Sequence, residues 1–301
     1  MSHAVCEILR GAASLGIATE ENVPMAAKTS FKIGGAAECL LYPQEERQLA
    51  GCVQLCREQG VRPFLLGCGS NLLVKDSGLP GVVIATERLQ QIALLPGGAI
   101  DCQAGAKLSE LCLFAQRQGL SGLEFAYGIP GSAGGAAYMN AGAYGGEMKD
   151  VLRSVRCIDQ QGALRELPAG ELGLGYRSSV FMQNGWIIAG LTVQLTPGQP
   201  EAIKQKMQET MQKRREKQPL AFPSAGSVFK RPPGHFAGGL IEQCGLKGQS
   251  VGGAQVSEKH AGFIINTGGA TAADVRALIA LVQTVVENET GVFLIPEIQF
   301  V

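Results

Sequence analysis

Two glycine-rich runs carry the first chemical signal. Gly128-Ile-Pro-Gly-Ser-Ala-Gly-Gly-Ala-Ala-Tyr-Met-Asn-Ala-Gly-Ala-Tyr-Gly-Gly146 has seven glycines in nineteen positions and scarcely a charge. Backbone N–H groups with no bulky Cβ beside them form concave nests that hold phosphate oxygens, so this run reads as a cradle for a diphosphate. Gly67-Cys-Gly-Ser-Asn-Leu-Leu-Val74, directly after the strand-like Pro63–Leu66, is a second candidate, and two such loops can clasp one pyrophosphate. The competing reading is a pair of tight turns in a β-rich fold. The dinucleotide fingerprint G-x-G-x-x-G is missing, because Leu72 stands where the third glycine belongs, and no G-x-x-x-x-G-K-[ST] occurs. Nor is there a G-x-S-x-G elbow, and His3, His235 and His260 have no evident Ser or Asp arrangement around them, so hydrolase chemistry has little support. Nine cysteines without a C-x-x-C pair, and only three histidines, give neither a zinc signature nor a disulfide framework; no metal is expected, and a reducing cytosol fits best.

Short extended runs and a few amphipathic helices must position these loops. Glu38–Pro43, Pro63–Gly67, Gly81–Glu87, Ile100–Ala104, Val151–Asp159, Ala163–Leu167 and Trp186–Leu195 are rich in Val, Ile and Leu between Gly or Pro punctuation and read as strands. Helical spacing puts Leu49, Cys52, Val53 and Cys56 on one face of Glu45–Gln59, and Leu108, Leu111, Cys112 and Ala115 on one face of Leu108–Gln118. The cysteines among them read as small core residues. Two longer helices follow, Glu201 to about Lys217, and Thr271 to about Asn288 with Thr271 as N-cap, Asp274 in the first turn and Gly291 beyond the end. A terminal strand is expected over 292–301. Pro197-Gly-Gln-Pro200 is the best boundary, and Leu95-Pro-Gly-Gly98 divides two smaller lobes before it, so three compact lobes are expected.

The whole chain sets outer limits. Its 301 residues, 46% hydrophobic and 17% charged, are too apolar for disorder and long enough for a substantial core. Lys plus Arg total 26 and Asp plus Glu total 26, which leaves no global field to hold a polyanion, so nucleic acid is not an expected partner. The N-terminus meets Glu7 and Arg10 before a long apolar run develops, unlike a signal peptide. Residues 277–286, broken by Gln283 and Thr284, fall far short of the ~20 residues of a membrane span. A soluble cytoplasmic α+β protein is expected, with no membrane partner.

Seven ordered motifs carry a resemblance that runs nearly end to end: Thr29-Ser-Phe-Lys-Ile-Gly-Gly35, the loops 67–74 and 128–146, Tyr176-Arg-Ser-Ser179, Gly226-Ser-Val-Phe-Lys-Arg-Pro232, Val256-Ser-Glu-Lys-His-Ala-Gly262 and Pro296-Glu297. Through them the chain resembles the UDP-N-acetylenolpyruvoylglucosamine reductases, the MurB flavoproteins of bacterial peptidoglycan synthesis. The short interval from Arg177 to Ser227 matches the compact, type II form, which lacks an insertion bearing a substrate-gating Tyr. The resemblance implies an N-terminal helical segment over 1–28 and a FAD-binding module of the vanillyl-alcohol-oxidase (PCMH) type over 29–194. Its two α+β lobes would cover about 29–95 and 96–194. A C-terminal α+β substrate-binding domain would cover 195–301, its terminal strand returning to the flavin site. FAD would be held non-covalently, since no His lies between residues 4 and 234 and Cys68 reads as a small buried cysteine rather than a flavin link.

The reaction so implied reduces the enolpyruvyl double bond of UDP-N-acetylglucosamine enolpyruvate to the lactyl ether of UDP-N-acetylmuramate, with NADPH as reductant. Charge develops as an enolate next to the substrate carboxylate, which calls for a fixed cation there and a proton donor at the neighbouring carbon. By resemblance Arg177 would pair with the carboxylate through its planar fork, Ser227 would donate the proton and Glu297 would assist the enolate. Gly67, Gly69, Ser70, Asn71, Leu72, Gly128, Gly131, Ser132, Gly134, Gly135, Asn140, Gly142 and Arg214 would hold FAD. Tyr176, Lys217, Lys230, Arg231 and Lys247 would contact the substrate, Lys230 also acting electrostatically on Ser227. Arg231 departs from the Asn often found there in the longer form. From the residues alone, Arg177 is as readily a surface arginine, Ser227 a turn residue and Glu297 an exposed carboxylate. The rival functions are a sugar or lactone oxidase on the same flavin fold, and a nucleotide-sugar-binding protein without flavin.

Overall fold

A computed structural model describes residues 2–301. By contacts the chain divides into two compact units, one made of 2–21, 38–68 and 81–213 and the other of 22–37, 69–80 and 214–301. The helix Pro200–Lys217 follows directly on Pro197–Pro200, and its stripe Ile203 and Met207 lies in the core of the first unit, so the cut by contact falls at Lys213 rather than at the prolines.

The first unit has two cores. In one, Val5, Ile8 and Ala12 of the helix His3–Ser14 and Leu49, Cys52, Val53 and Cys56 of the helix Glu46–Glu58 pack on Cys39, Leu41, Val82 and Ile84. The sheet beneath has the strand order Ala18–Pro24, Ala36–Tyr42, Leu79–Ala85, Phe64–Leu66. The first of these strands falls in the segment expected to be helical. Its Thr19, Glu20, Glu21 and Asn22 are exposed, so no apolar alternation marked it.

The second core is built on a five-stranded antiparallel sheet, ordered Leu164–Pro168, Leu152–Ile158, Ile187–Gln194, Ala99–Gln103, Ile92–Leu95. Against it pack the helix Leu108–Arg117 and a short helix, Ala133–Tyr138, set inside the glycine-rich run. That run is therefore not loop throughout. Ser132 caps the short helix by accepting from the Gly135 N–H, and Ala133, Ala136 and Ala137 bury against the sheet, which outweighs the poor helical propensity of two glycines. Arg156, half-buried, ties the two cores together. It donates to Glu46 Oε1 at 2.9 Å and to Asp101 Oδ2 at 3.2 Å, across a strand where a Cβ on Gly190 would lie 2.3 Å from its guanidinium.

The second unit carries an antiparallel sheet in the order Ser224–Ser227, Phe263–Asn266, Ala254–Val256, Ser250–Val251, with the helix Ala272–Thr290 across it. Val275, Leu278, Ile279, Val282 and Val286 form the buried stripe of that helix. Thr271 and Asp274 make a reciprocal capping box, and the Asp76 carboxylate accepts from the Ala272 and Ala273 N–H groups at 2.8 and 3.1 Å.

The expected ten-residue terminal strand is not formed. Only Gln299–Phe300 pairs, in parallel, with Leu72–Leu73. Pro296 has no N–H to give, so the ladder upstream reduces to Lys230 N–H to Ile295 O at 2.8 Å and Glu297 N–H to Val228 O at 2.7 Å.

Candidate active site

In the first unit the chemistry-bearing loops meet at Ser132. A Cβ at Gly67 would lie 2.8 Å from Ser132 Oγ and one at Gly135 3.2 Å from it, so the loop after the strand Phe64–Leu66 abuts the start of the helix Ala133–Tyr138. The backbone locks this arrangement through Leu108 N–H to Gly131 O at 3.0 Å, Ala133 N–H to Ala106 O at 2.8 Å and Gly134 N–H to Ala104 O at 2.8 Å. Gly134 packs so closely on Ala104 that a Cβ would come within 2.7 Å of its methyl. Gly128 is half-buried just before this turn. Cys68 is exposed, a correction to its reading as a small buried residue, because its loop turns outward after Leu66.

Arg177 sits beside the same run. Gly175 and Ser178 exchange both backbone hydrogen bonds, at 3.2 and 3.3 Å, closing a two-residue turn made of Tyr176 and Arg177. Arg177 takes φ 51°, the left-handed region that a turn of this kind usually gives to Gly or Asn. Three hydrogen bonds strap the turn to the glycine-rich run: Ser179 Oγ to Tyr138 O at 2.7 Å, Asn140 Nδ2 to Gly175 O at 3.0 Å and Arg177 Nη2 to Gly142 O at 3.4 Å. The guanidinium also lies 5.4 Å over the exposed Tyr176 ring. Glu147 is the nearby acid. The Lys149 ammonium at 2.6 Å, with Asn140 and Arg177 contributing, holds its carboxyl below the usual carboxylate range.

In the second unit Ser227 and Glu297 lie on neighbouring backbones, since the Glu297 N–H donates to the carbonyl of Val228. Ser227 ends its strand after a bulge, where the pairing slips between Ser224 and Ser227 and Gly226 takes φ 80°; the bulge leaves Ser227 exposed. The far half of the loop 67–74 belongs to this unit. Asn71 Nδ2 donates to Glu297 O at 3.2 Å, Gln299 N–H donates to Asn71 O at 2.9 Å, and Leu72 is buried in the parallel pair. Gly69, at φ 61°, runs so close to the motif 29–35 that a Cβ would lie 2.2 Å from Lys28 O. Ser30 accepts this approach, its N–H donating to Gly69 O at 3.1 Å and its Oγ to Ser224 O at 2.7 Å. The sequence marked Ser30 only as part of a motif. Ser70, between Gly69 and Asn71, is half-buried.

Four cations were expected to meet substrate. Lys230 and Arg231 continue the chain from Ser227, and the Arg231 guanidinium lies 4.0 Å over the exposed Phe236 ring while its Nε donates to His235 O at 3.3 Å. Lys217 is exposed in the last turn of its helix, and Lys247 pairs with Glu242 at 2.6 Å. None of the contacts described here ties those two to Ser227 and Glu297. Arg214 is buried on the same stripe as Ile203, Met207 and Thr210, an unusual place for an arginine on a strongly basic helix. One turn on, Gln218 Oε1 is a buried acceptor without a hydrogen-bond donor among the described residues. It has the character of a group that a bound molecule with N–H or O–H donors would satisfy. Within the first unit, the glycine backbones that converge at Ser132 fit a diphosphate-bearing cofactor. His260, held low by burial, accepts from the Gly262 N–H through Nδ1 and stacks edge-on to Phe263, a structural histidine.

Known proteins match along almost the whole chain. A family described as FAD binding domain matches residues 37–168, and one described as UDP-N-acetylenolpyruvoylglucosamine reductase, C-terminal domain, matches residues 218–301. The UDP-N-acetylenolpyruvoylglucosamine reductase of Clostridium perfringens is 49% identical over 278 residues, 92% of this chain and 91% of that protein. The one from Caldanaerobacter subterraneus is 49% identical over 280 residues, 93% and 92% of the two chains. Among solved structures, the UDP-N-acetylenolpyruvylglucosamine reductase (MurB) of Thermus caldophilus superposes with TM-score 0.79 at 35% identity, covering 94% of this chain and 98% of that one. A berberine bridge enzyme variant shares the fold alone, at TM-score 0.50 and 15% identity over 63% of this chain.

Proposed function

Because the chain belongs to the UDP-N-acetylenolpyruvoylglucosamine reductase family, we propose a division of labour among its residues for that family's reaction. The protein is an FAD-dependent oxidoreductase of peptidoglycan synthesis that acts on a UDP-sugar with a nicotinamide reductant. The substrate in our reading is UDP-N-acetylglucosamine enolpyruvate, the product UDP-N-acetylmuramate, and the reductant NADPH. Bound FAD supplies the hydride that reaches the terminal enolpyruvyl carbon.

Everything else in the step falls to side chains. Arg177 pairs with the substrate carboxylate, and its planar fork neutralises the charge that spreads there as the double bond is reduced. Ser227 hands a proton to the carbon beside that carboxylate, and Glu297 supports the developing enolate by hydrogen bonding. Lys230, three residues beyond Ser227, favours release of the serine proton by its charge. The glycine backbones of 67–69 and 128–135, with Ser70, Asn71, Leu72, Gly142 and Arg214, hold FAD. Tyr176, Lys217, Arg231 and Lys247 hold the nucleotide-sugar. The observation that supports this reading best is the pairing of the Ser227 and Glu297 backbones through Val228 O, with Asn71 of a glycine loop donating to Glu297 O. We assign the reaction to the cytoplasm, where reduced nicotinamide is available and free cysteines persist; all nine are free here. No helix of the described residues is long and apolar enough to cross a membrane.

The test is anaerobic mixing of the purified flavoprotein with NADPH, with and without UDP-N-acetylglucosamine enolpyruvate. Sustained NADPH loss only with that nucleotide is the expected result. Flavin bleached once and not restored by the nucleotide, but restored rapidly by oxygen, would favour the oxidase instead.

A further inference from the structure

Asn140 has a side chain fully committed to its own protein. It is completely buried and takes φ 42°. Its Nδ2 donates to Glu147 Oε2 at 2.6 Å and to Gly175 O at 3.0 Å, and its Oδ1 accepts from the Lys149 N–H at 2.9 Å. With both amide protons and the oxygen engaged, little capacity remains for a cofactor, the role the resemblance gave it. Each partner leads toward Arg177. Gly175 opens the two-residue turn that holds Arg177 in its left-handed conformation. Glu147 lies across from the carbonyl side of Gly142, where a Cβ on that glycine would come 2.8 Å from the Glu147 Cβ, and Gly142 O accepts from Arg177 Nη2. Glu147 is itself fixed by a reciprocal capping box with Asp150 and by Lys149.

We propose that Asn140 and Glu147 are positioning residues for Arg177: Asn140 braces its turn through Gly175 O, and the Glu147 carboxylate orients its guanidinium toward the substrate. The inference rests on the reading of Arg177 as the carboxylate-binding residue. A left-handed arginine in a short turn is held in place only if its surroundings over-determine it, and the Asn140 amide supplies that determination from a rigid, buried position.

Asn140→Ala and Glu147→Gln holoenzymes, each alone and combined with Arg177→Lys, test the brace. Glu147→Gln keeps an acceptor for Asn140 and removes only the charge, so it carries the test should Asn140→Ala fail to fold. Three readouts apply: reduction of the flavin by NADPH, its reoxidation by the enolpyruvyl nucleotide, and calorimetric affinity for UDP-N-acetylmuramate against UDP-N-acetylglucosamine, which has no carboxylate. Reoxidation is expected to slow about tenfold to a hundredfold in Asn140→Ala, the usual effect of removing a supporting hydrogen bond, and several-fold in Glu147→Gln. NADPH reduction and affinity for UDP-N-acetylglucosamine should hold, while affinity for the carboxylated nucleotide falls. In the Arg177→Lys background the same substitutions should add nothing. Equal losses in both backgrounds, or equal weakening of both nucleotides, would overturn the brace and leave Arg177 as assigned. A wild-type protein with no preference for the carboxylated nucleotide would overturn the Arg177 reading and the brace with it.

Discussion

Arg177 combines a side chain proposed to bind the substrate carboxylate with a backbone conformation that costs a non-glycine residue energy. At φ 51° a non-glycine residue carries about 1–2 kcal/mol of steric strain, which the turn at Gly175–Ser178 must offset. Arg177→Gly relieves that strain while deleting the guanidinium. The expected outcome is an unfolding free energy, from urea titration, unchanged or higher by up to about 1 kcal/mol, together with loss of substrate-dependent flavin reoxidation. An unfolding free energy lower by more than that amount would mean Arg177 is there for the fold. At this scale the sequence was informative in one way only. Ordered motifs pointed to Arg177, Ser227 and Glu297, but nothing in residue type or spacing disclosed the left-handed turn, the bulge at Gly226 or the engagement of Asn140. Each of those depends on a carbonyl or carboxylate brought in from elsewhere in the chain.

Elements were legible where their determinants are local. Thr271-x-x-Asp274 announced the start of the helix Ala272–Thr290 because a capping box closes within four residues, Thr271 Oγ accepting from Asp274 N–H at 3.0 Å and Asp274 Oδ2 from Thr271 N–H at 2.9 Å. Removing the cap in Thr271→Ala is expected to lower stability by about 1 kcal/mol, read from urea unfolding. Those Thr271 bonds hold the Asp274 carboxyl below its ordinary value. Its stabilisation is therefore complete above the unfolded pKa of about 4 and disappears as pH falls through the lower folded value. The deficit of Asp274→Asn should accordingly be present at pH 7 and shrink toward zero in acid; a deficit independent of pH would show that the charge plays no part. Elements whose determinants are distant were misread. The terminal strand shrank to Gln299–Phe300 because its partner is the short Leu72–Leu73 and Pro296 cannot donate, and the helix Ala133–Tyr138 was hidden among glycines that pack on Ala104.

For the whole molecule, the two compact units are each assembled from three separated stretches of chain. No composition shift marks those joins, because segments 22–37 and 69–80 are short and join a core seeded by residues roughly 150 to 240 positions away, such as Val228 and Ile264. Burial across these cores explains the cysteines. Desolvation pushes the Cys52, Cys56 and Cys102 thiols up to about 12 and those of Cys39 and Cys157 to about 11, and it raises Cys112 as well. The six buried thiols are also closed to solvent, so a thiol reagent applied to native protein should label the accessible Cys6, Cys68 and Cys244 and reach the other six only on unfolding. Rapid labelling of Cys52 or Cys102 in the folded state would contradict the packing. Of the three residues proposed for the reaction, Arg177 belongs to one unit and Ser227 and Glu297 to the other. That these three supply cation, proton and enolate support is tested most directly by Ser227→Ala. The variant is reduced with NADPH under anaerobic conditions and mixed once with the enolpyruvyl nucleotide while flavin absorbance is followed. With the proton donor removed, reduction by NADPH should be normal and reoxidation slower by about 10²–10⁴, the range for loss of a general acid. Reoxidation at the wild-type rate would contradict it.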